Sequence, residues 1–193
     1  MIRTIMEIQG KKVTNLTPLL KAISFAAQRH QGQMRKDKKT PYVAHPMRVS
    51  TILAQEFKVS DPDILCAAVL HDTIEDTTTD WDDVAREFGQ KVAGWVATLS
   101  KDKRVEEHER ERVYFEALGK ASVEVKLCKL GDTLDNLIDV AGLDRPAQEK
   151  ALGKARHVVE LFSRGWPDEW AHAMDRVKRA ISDLEGALAQ KKP

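Results

Sequence analysis

The most constraining feature of this sequence is an uninterrupted apolar run, residues 64–70, that ends directly on His71 and Asp72. Glu75 and Asp76 follow four positions after His71 and Asp72 respectively, so on a helix these polar side chains share one side. Three carboxylates and an imidazole at the end of a buried helix repel one another and lose hydration, unless a cation or a substrate compensates them. We therefore interpret the stretch as a metal-binding active-site helix. The alternative is an exposed acidic helix end that happens to contain a histidine.

The composition favours one globular domain and argues against two classes of partner. A chain of 193 residues is long enough to bury a sizeable core, and we predict one domain over residues 1–193. Lys and Arg number 31 against 30 for Asp and Glu, so no overall field attracts nucleic acid or a membrane surface. An anionic small molecule must therefore be bound by a local basic cluster. These features leave the oligomeric state open.

The cysteines and the hydropathy pattern point to a cytoplasmic protein. Cys66 and Cys128 both lie in apolar surroundings, which is typical of reduced core residues. No apolar segment approaches the length of a membrane span. We expect a cytoplasmic location.

Helix signals recur along the chain, and no convincing alternating strand accompanies them. A capping residue precedes proline at Thr17-Pro18 and again at Asp61-Pro62, and Pro46 pre-sets the first turn of the helix between them. We expect the helix that begins at Asp61-Pro62 to run to about Asp76. The pattern predicts an all-α, compact helical bundle, in which residues 146–190 form two packing helices.

Two basic segments are candidates for binding phosphate. The first is a polar loop, residues 33–42, which leads directly to His45, and the second is the charged stretch 101–112. Most charge runs of this kind are solvated surface, and a phosphate-binding role is the more specific interpretation. From the second segment we select Lys101 and Lys103 as candidates to counter phosphate charge.

A later amphipathic helix carries a second polar cluster. Leucines recur along residues 127–138 with helical spacing, and Asp132 and Asn136 are four positions apart, so they share one side. Gly131 costs roughly 1 kcal/mol relative to alanine inside a helix. We therefore expect a close backbone approach at Gly131.

The candidate ligands form a mixed nitrogen and oxygen set: His45, His71, Asp72 and Asp132. Such a mixture suits six-coordinate Mn²⁺ or Fe²⁺ with open water positions better than a closed structural zinc site. Glu75 and Asp76, one turn further along, are placed to orient an attacking water and to shuttle its proton.

Several short segments stand in a distinctive order: Gln33-x-Arg35-Lys36, Pro41-Tyr42, His45-Pro46, Leu70-His71-Asp72, Glu75-Asp76-Thr77, Phe88-Gly89-x-x-Val92 and Asp132-x-Leu-x-Asn136. Their order and spacing resemble the HD-domain hydrolases of the RelA/SpoT homologue family, in particular its small stand-alone members. The likeness covers roughly residues 19–140.

The resemblance implies an HD-domain helical bundle and a Mn²⁺-dependent hydrolase that removes the 3′-pyrophosphate from guanosine tetra- or pentaphosphate. It makes His45, His71, Asp72 and Asp132 the metal ligands, and Glu75 and Asp76 the catalytic pair. By the same resemblance, Arg35 and Lys36 contact the nucleotide and Asn136 meets the ribose-phosphate. A chain of this length has no room for the synthetase and regulatory domains of the long family members, so we expect a hydrolase only.

Three positions on the helix of Asp132 depart from the family pattern. Thr133 and Ile138 stand where basic residues are usual, and Asp135 stands where an aromatic residue or histidine is common. We expect these changes to remove positive charge beside the pocket and to add a carboxylate, which bears on the substrate more than on hydrolysis. Adenosine 3′-pyrophosphates, NADPH and a deoxynucleotide remain alternative substrates. A nucleotide-sensing helical module is the non-enzymatic alternative.

Overall fold

The computed structural model describes residues 15–190 and, before them, two short strands, Glu7–Ile8 (β1) and Lys11–Lys12 (β2). The strands pair antiparallel, with Glu7 opposite Lys12. The helices that follow are α1 (Thr17–Arg29), α2 (Ala44–Gln55), α3 (Pro62–Leu70), α4 (Thr73–Asp76), α5 (Trp81–Phe88), α6 (Gln90–Leu99), α7 (Glu107–Lys120), α8 (Val123–Asp139), α9 (Arg145–Ser163) and α10 (Ala171–Gln190). The all-α prediction is confirmed. The predicted domain also includes residues 1–6, 9–10, 13–14 and 191–193, which lie outside the described residues.

The apolar helix α3 is the centre of the fold. Asp61 caps it by accepting a hydrogen bond from the backbone N–H of Asp63 at 2.8 Å, and Pro62 occupies the first turn, where its missing N–H costs nothing. Every residue from 64 to 70 is buried, because α1, α2, α6 and α8 pack around it. The polar residues after Leu70 are therefore held at the end of a rigid, buried element.

No helix in the described part of the chain is both long and apolar enough to span a bilayer.

The chain leaves the helix at this point, so the prediction of one helix from Pro62 to about Asp76 is wrong. α3 ends at Leu70, and His71 and Asp72 lie between it and the single turn of α4. The break is stabilised by side chains that take up the last carbonyls of α3. Thr73 Oγ1 donates to the Leu70 carbonyl at 2.7 Å, and the ring of His71 donates to the Ala68 carbonyl at 2.8 Å.

The basic loop, residues 33–42, is folded back on itself before α2. An isolated β-bridge joins Met34 to Pro41, and the N–H of Arg35 donates to the Thr40 carbonyl at 2.8 Å. α2 begins at Ala44, so His45 lies in its first turn. The loop thus carries its basic side chains into the neighbourhood of His45.

Gly131 marks the close approach of α2 and α8. An added Cβ at this position would collide with Leu53 Cδ1 and would lie 3.3 Å from Val49 Cγ1. Leu53 and Val49 are both fully buried, so neither has open space into which it can move. The contact predicted for Gly131 is therefore a helix–helix contact, and it sets the distance between the two helices that carry His45 and Asp132.

We expect Gly131→Ala to lower the free energy of unfolding by about 1–3 kcal/mol, the usual cost of overpacking a filled core. Gly186→Ala in α10 is the matched control, because a Cβ there meets nothing within 4 Å. The control should raise the free energy of unfolding by up to about 1 kcal/mol through helix propensity alone. Urea denaturation followed by circular dichroism measures both, and equal shifts for the two variants would contradict the close-packing interpretation.

Candidate functional site

The four candidate metal-binding residues converge from three elements: His45 from α2, His71 and Asp72 from the α3–α4 junction, and Asp132 from α8. Donor atoms of His45, His71 and Asp72 all lie within 4.8 Å of one another. Asp132 Oδ1 lies 3.2 Å from His45 Nε2 and 3.8 Å from His71 Nε2. Residues up to 87 positions apart in sequence thus form one compact nitrogen and oxygen cluster.

His71 presents an unpartnered nitrogen to this cluster. Its Nδ1 faces the Ala68 carbonyl at 2.8 Å, and because a carbonyl only accepts, Nδ1 carries the hydrogen. Nε2 is buried, makes no hydrogen bond within the described residues, and lies 3.0 Å from Asp72 Oδ2. A buried polar atom without a partner costs free energy, so this nitrogen is suited to bind a cation.

The charges around the cluster also fit a divalent ion. Burial alone would lower the pKa of His71, but the neighbouring Asp72 and Asp132 carboxylates raise it to about 9. Burial likewise opposes protonation of His45, whose pKa is nevertheless raised by hydrogen bonds to Asp132 and Asp135. Positive charge between the carboxylates therefore stabilises them, and a divalent ion can supply this charge in place of protons on the two imidazoles. The donor set suits a divalent metal ion.

Tyr42 donates a hydrogen bond to the carboxylate side of the cluster, a role that was not predicted from the sequence. Its hydroxyl donates to Asp72 Oδ2 at 2.5 Å and lies 3.3 Å from Asp76 Oδ2. Burial and the adjacent Asp72 raise the pKa of Tyr42 above its usual value, so the phenol stays a donor. The only signal in the sequence was its place in the Pro41-Tyr42 segment.

Glu75 and Asp76 flank the cluster and are held by different partners. Glu75 Oε2 accepts from the backbone N–H of Lys101 at 2.8 Å, and burial raises the pKa of the Glu75 carboxyl. Asp76 is paired with Lys103, and its backbone carbonyl accepts from Gln33 Nε2 at 2.7 Å. The two carboxylates are therefore fixed in orientation by the segments 33–42 and 101–112.

These side chains line a cavity of roughly 310 Å³. The predicted site residues that line it are His45, His71, Asp72, Asp132, Glu75, Asp76, Arg35, Lys36, Lys101 and Asn136. Lys103 is the exception: its side chain is 56% exposed and its ammonium group is paired with Asp76 at the rim. The structure thus brings together all the predicted site residues apart from Lys103 around one opening.

Two of the basic residues are already engaged by acidic or amide groups. The guanidinium of Arg35 contacts Asp139 at 2.8 Å and Asn136 Oδ1 at 3.1 Å, and it lies 5.6 Å from the centre of the Tyr42 ring. Lys101 Nζ is 2.5 Å from Glu111. Their positions are therefore fixed before any ligand binds.

A second cavity, of roughly 690 Å³, adjoins the first between α7, α8 and α9. Lys36, Lys101, Asp132 and Asn136 line both cavities. The lysines that sequence analysis did not select are Lys129, Lys150 and Lys154. The helix predicted as a packing helix and now labelled α9 also supplies two of these lysines, Lys150 and Lys154, from successive turns. Their four-residue spacing was the available signal.

Only one of the three positions that depart from the family pattern faces a cavity. Thr133 lines the larger cavity, and its hydroxyl donates to the Lys129 carbonyl at 2.7 Å. Ile138 is 52% exposed. Asp135 is 1% exposed and lies behind His45, so the expectation that it adds a carboxylate to the pocket is wrong.

Comparison with known proteins gives a consistent result. Residues 22–164 match the family model described as HD domain. The chain is 44% identical over 173 residues to the human guanosine-3′,5′-bis(diphosphate) 3′-pyrophosphohydrolase MESH1, covering 89% of this chain and 87% of the relative. It is 44% identical over 122 residues to the Drosophila melanogaster protein of the same name, covering 63% of this chain and 68% of that protein. A solved structure of a metazoan orthologue of SpoT, described as hydrolysing ppGpp and acting in starvation responses, superimposes with a TM-score of 0.75 at 35% identity. That match covers 86% of this chain and 97% of the other.

Proposed function

Because this chain belongs to the HD-domain family and, within it, to the MESH1-type hydrolases, we propose that it removes the 3′-pyrophosphate from guanosine tetra- or pentaphosphate. The products are pyrophosphate and GDP or GTP. The single observation that carries the proposal is the buried cluster of two imidazoles and two carboxylates beside Glu75 and Asp76.

We assign His45, His71, Asp72 and Asp132 as ligands of one divalent ion, which we propose to be Mn²⁺, with Fe²⁺ as the alternative. The mixture of imidazole nitrogen and carboxylate oxygen supports this choice. The unpartnered Nε2 of His71 supports it independently. When bound, such an ion supplies Lewis acidity that polarises a phosphoryl oxygen and lowers the pKa of water.

Glu75 and Asp76 act on the attacking water in this proposal. Burial raises the pKa of Glu75, which brings the carboxylate nearer to the proton affinity that a general base needs. Lys103 pairs with the Asp76 carboxylate and Gln33 holds the Asp76 backbone carbonyl, so Asp76 is positioned to orient the water. In this proposal Glu75 takes the proton from the water, and Asp76 holds the water in position.

The paired cavities support a substrate that carries phosphate at both ends. The 310 Å³ cavity contains the metal cluster and suits the 3′-pyrophosphate that is cleaved. The 690 Å³ cavity contains lysines and apolar side chains together, which suits the remainder of a nucleotide. We propose that Lys36 and Asn136 contact the nucleotide where the two cavities meet and that Arg35 contacts it from the smaller cavity. Lys101 counters phosphate charge in this proposal, with Lys103 contributing from the rim.

A non-enzymatic nucleotide sensor is the second candidate function, since lysine-lined cavities alone would also suit binding. Glu75 and Asp76 line the same cavity as the four proposed metal ligands, and a sensor that does not turn its ligand over needs no such pair, so the arrangement favours chemistry over sensing.

The free, buried Cys66 and Cys128 support the predicted cytoplasmic location, which stays a prediction.

Purified protein supplied with Mn²⁺ should convert guanosine tetraphosphate to GDP and pyrophosphate, which chromatography detects directly. The adenosine analogue is the matched comparison for the base, and NADPH tests the alternative phosphatase reaction. GTP, which lacks a 3′-pyrophosphate, should remain unchanged. Turnover of the adenosine compound alone would reverse the base assignment and keep the reaction. Failure on both 3′-pyrophosphates, with phosphate released from NADPH, would overturn the proposed function.

A further inference from the structure

We infer that Asp135 is a positioning residue for the metal centre, and that its carboxylate orients the His45 imidazole so that Nε2 faces Asp72 and Asp132. The inference rests on the proposed function, because it concerns how one proposed ligand is held. It assigns a role to a residue at which this sequence departs from the family pattern.

The contact at His45 defines which nitrogen can bind a cation. Asp135 Oδ2 lies 2.6 Å from His45 Nδ1, and an ionised carboxylate only accepts hydrogen bonds, so Nδ1 donates. Nε2 is then the nitrogen directed at the cluster, 3.2 Å from Asp132 and 3.6 Å from Asp72. A carboxylate behind a ligating imidazole fixes its tautomer and ring orientation and increases its basicity.

Arg48 compensates the negative charge of this buried carboxylate. Its guanidinium donates from Nε to Asp135 Oδ1 at 2.7 Å and from a terminal nitrogen to Asp135 Oδ2 at 2.9 Å. This two-bond geometry keeps Asp135 ionised and fixes the plane of its carboxylate. Both Asp135 oxygens are therefore occupied, and the one that faces His45 has little freedom to move.

The backbones that carry these residues are themselves held together. His45 and Arg48 lie on α2 and Asp135 lies on α8, and the two helices meet at Gly131, one turn before Asp135. The carboxylate therefore acts from a rigid support, as a positioning group must.

Asp139 provides a matched control within the same network. It lies one turn after Asp135 on α8 and contacts Arg48 at 2.8 Å and Arg35 at 2.8 Å. Its contacts are with these arginines and none is with His45. Asp139→Asn removes the same charge from the same salt-bridge network but leaves the Nδ1 contact of His45 in place.

The test is a Mn²⁺ titration followed by the electron paramagnetic resonance signal of the free ion, which requires no turnover. Asp135→Asn should weaken Mn²⁺ binding roughly 10- to 100-fold, as loss of a partner behind a ligating histidine does elsewhere. Asp139→Asn should bind Mn²⁺ as the wild type does. Melting temperatures of both variants, measured without metal, separate a loss of fold from a loss of affinity.

Equal Mn²⁺ affinity in Asp135→Asn and the wild type would overturn the inference and leave the proposed function intact. A wild type that binds no Mn²⁺ would overturn the metal centre itself, and the inference with it. Should Asp135→Asn fail to fold, ¹⁵N NMR of the Zn²⁺-loaded wild type decides the matter. The inference requires a hydrogen on His45 Nδ1, assigned by comparison with His45→Gln, and a bare Nδ1 would overturn it.

Discussion

We expect Asp72→Asn to purify without a bound divalent ion and to hydrolyse no nucleotide at a measurable rate. Asp72 Oδ2 lies 3.0 Å from His71 Nε2 and 3.6 Å from His45 Nε2, so it borders both proposed nitrogen ligands. The amide of asparagine is neutral and is a poor replacement for an anionic oxygen ligand. The contact with the Tyr42 hydroxyl can persist, because the amide oxygen still accepts a hydrogen bond.

Elemental analysis of the purified variant, together with the nucleotide assay, measures this effect. Asp183→Asn is the matched control, because Asp183 is exposed on α10 and does not line either cavity. It should retain both the ion and the activity. Full metal occupancy in Asp72→Asn would remove Asp72 from the proposed ligand set.

The helical architecture could be predicted because its signals are local. Pro62 after Asp61 and Gly89 after Phe88 mark helix ends through the backbone conformations that these residues favour, and the structure has helix ends at both places. The break after Leu70 was not predictable in the same way. It depends on Thr73 and His71 taking the final carbonyls of α3, and both residues are also compatible with a continuing helix.

The site was predictable where chemistry and spacing both identify a residue. His71 and Asp72 follow a buried run, and polar groups in such a position require compensation. The position of Asp135 could not be predicted in this way. Helical spacing places Asp132 and Asn136 on one side of α8, but it does not show which neighbouring helix Asp135 contacts. The tertiary contact with α2, set at Gly131, turns Asp135 toward His45 and Arg48 instead of the cavity.

The lysines of the larger cavity were missed for a related reason. Lys150 and Lys154 belong to α9, whose apolar residues predict a packing helix, and an amphipathic helix normally exposes its lysines to solvent. Here Lys150 and Lys154 are exposed as well, but they also line a cavity against α7 and α8. Partial loss of hydration, followed by repulsion from Lys101, lowers the pKa of Lys154, and no sequence pattern contains this crowding. The positive charge of the larger cavity therefore arises from the packing of helices that are distant in sequence.

We expect Glu75→Gln to keep its metal and its nucleotide affinity while kcat falls roughly 10²- to 10⁴-fold, the usual contribution of a general base. Glu75 Oε2 is held by the N–H of Lys101 at 2.8 Å, and in the described part of the chain no group donates to Oε1. By contrast, Asp76 Oδ1 is paired with the ammonium group of Lys103. Glu75 has no salt-bridge partner in the described part of the chain, so its free Oε1 is the better placed oxygen to accept a proton.

Glutamine preserves the size of this side chain and its acceptance from Lys101, so the substitution isolates the loss of the base. Steady-state kinetics should show a lower kcat at a nearly unchanged KM, with full metal occupancy by elemental analysis. Glu87→Gln is the matched control, since Glu87 lies on α5 and pairs with Lys21 away from the cavities. It should behave as the wild type. Wild-type turnover in Glu75→Gln would transfer the role of base to Asp76, whose Oδ1 must then be released by Lys103 when the substrate binds.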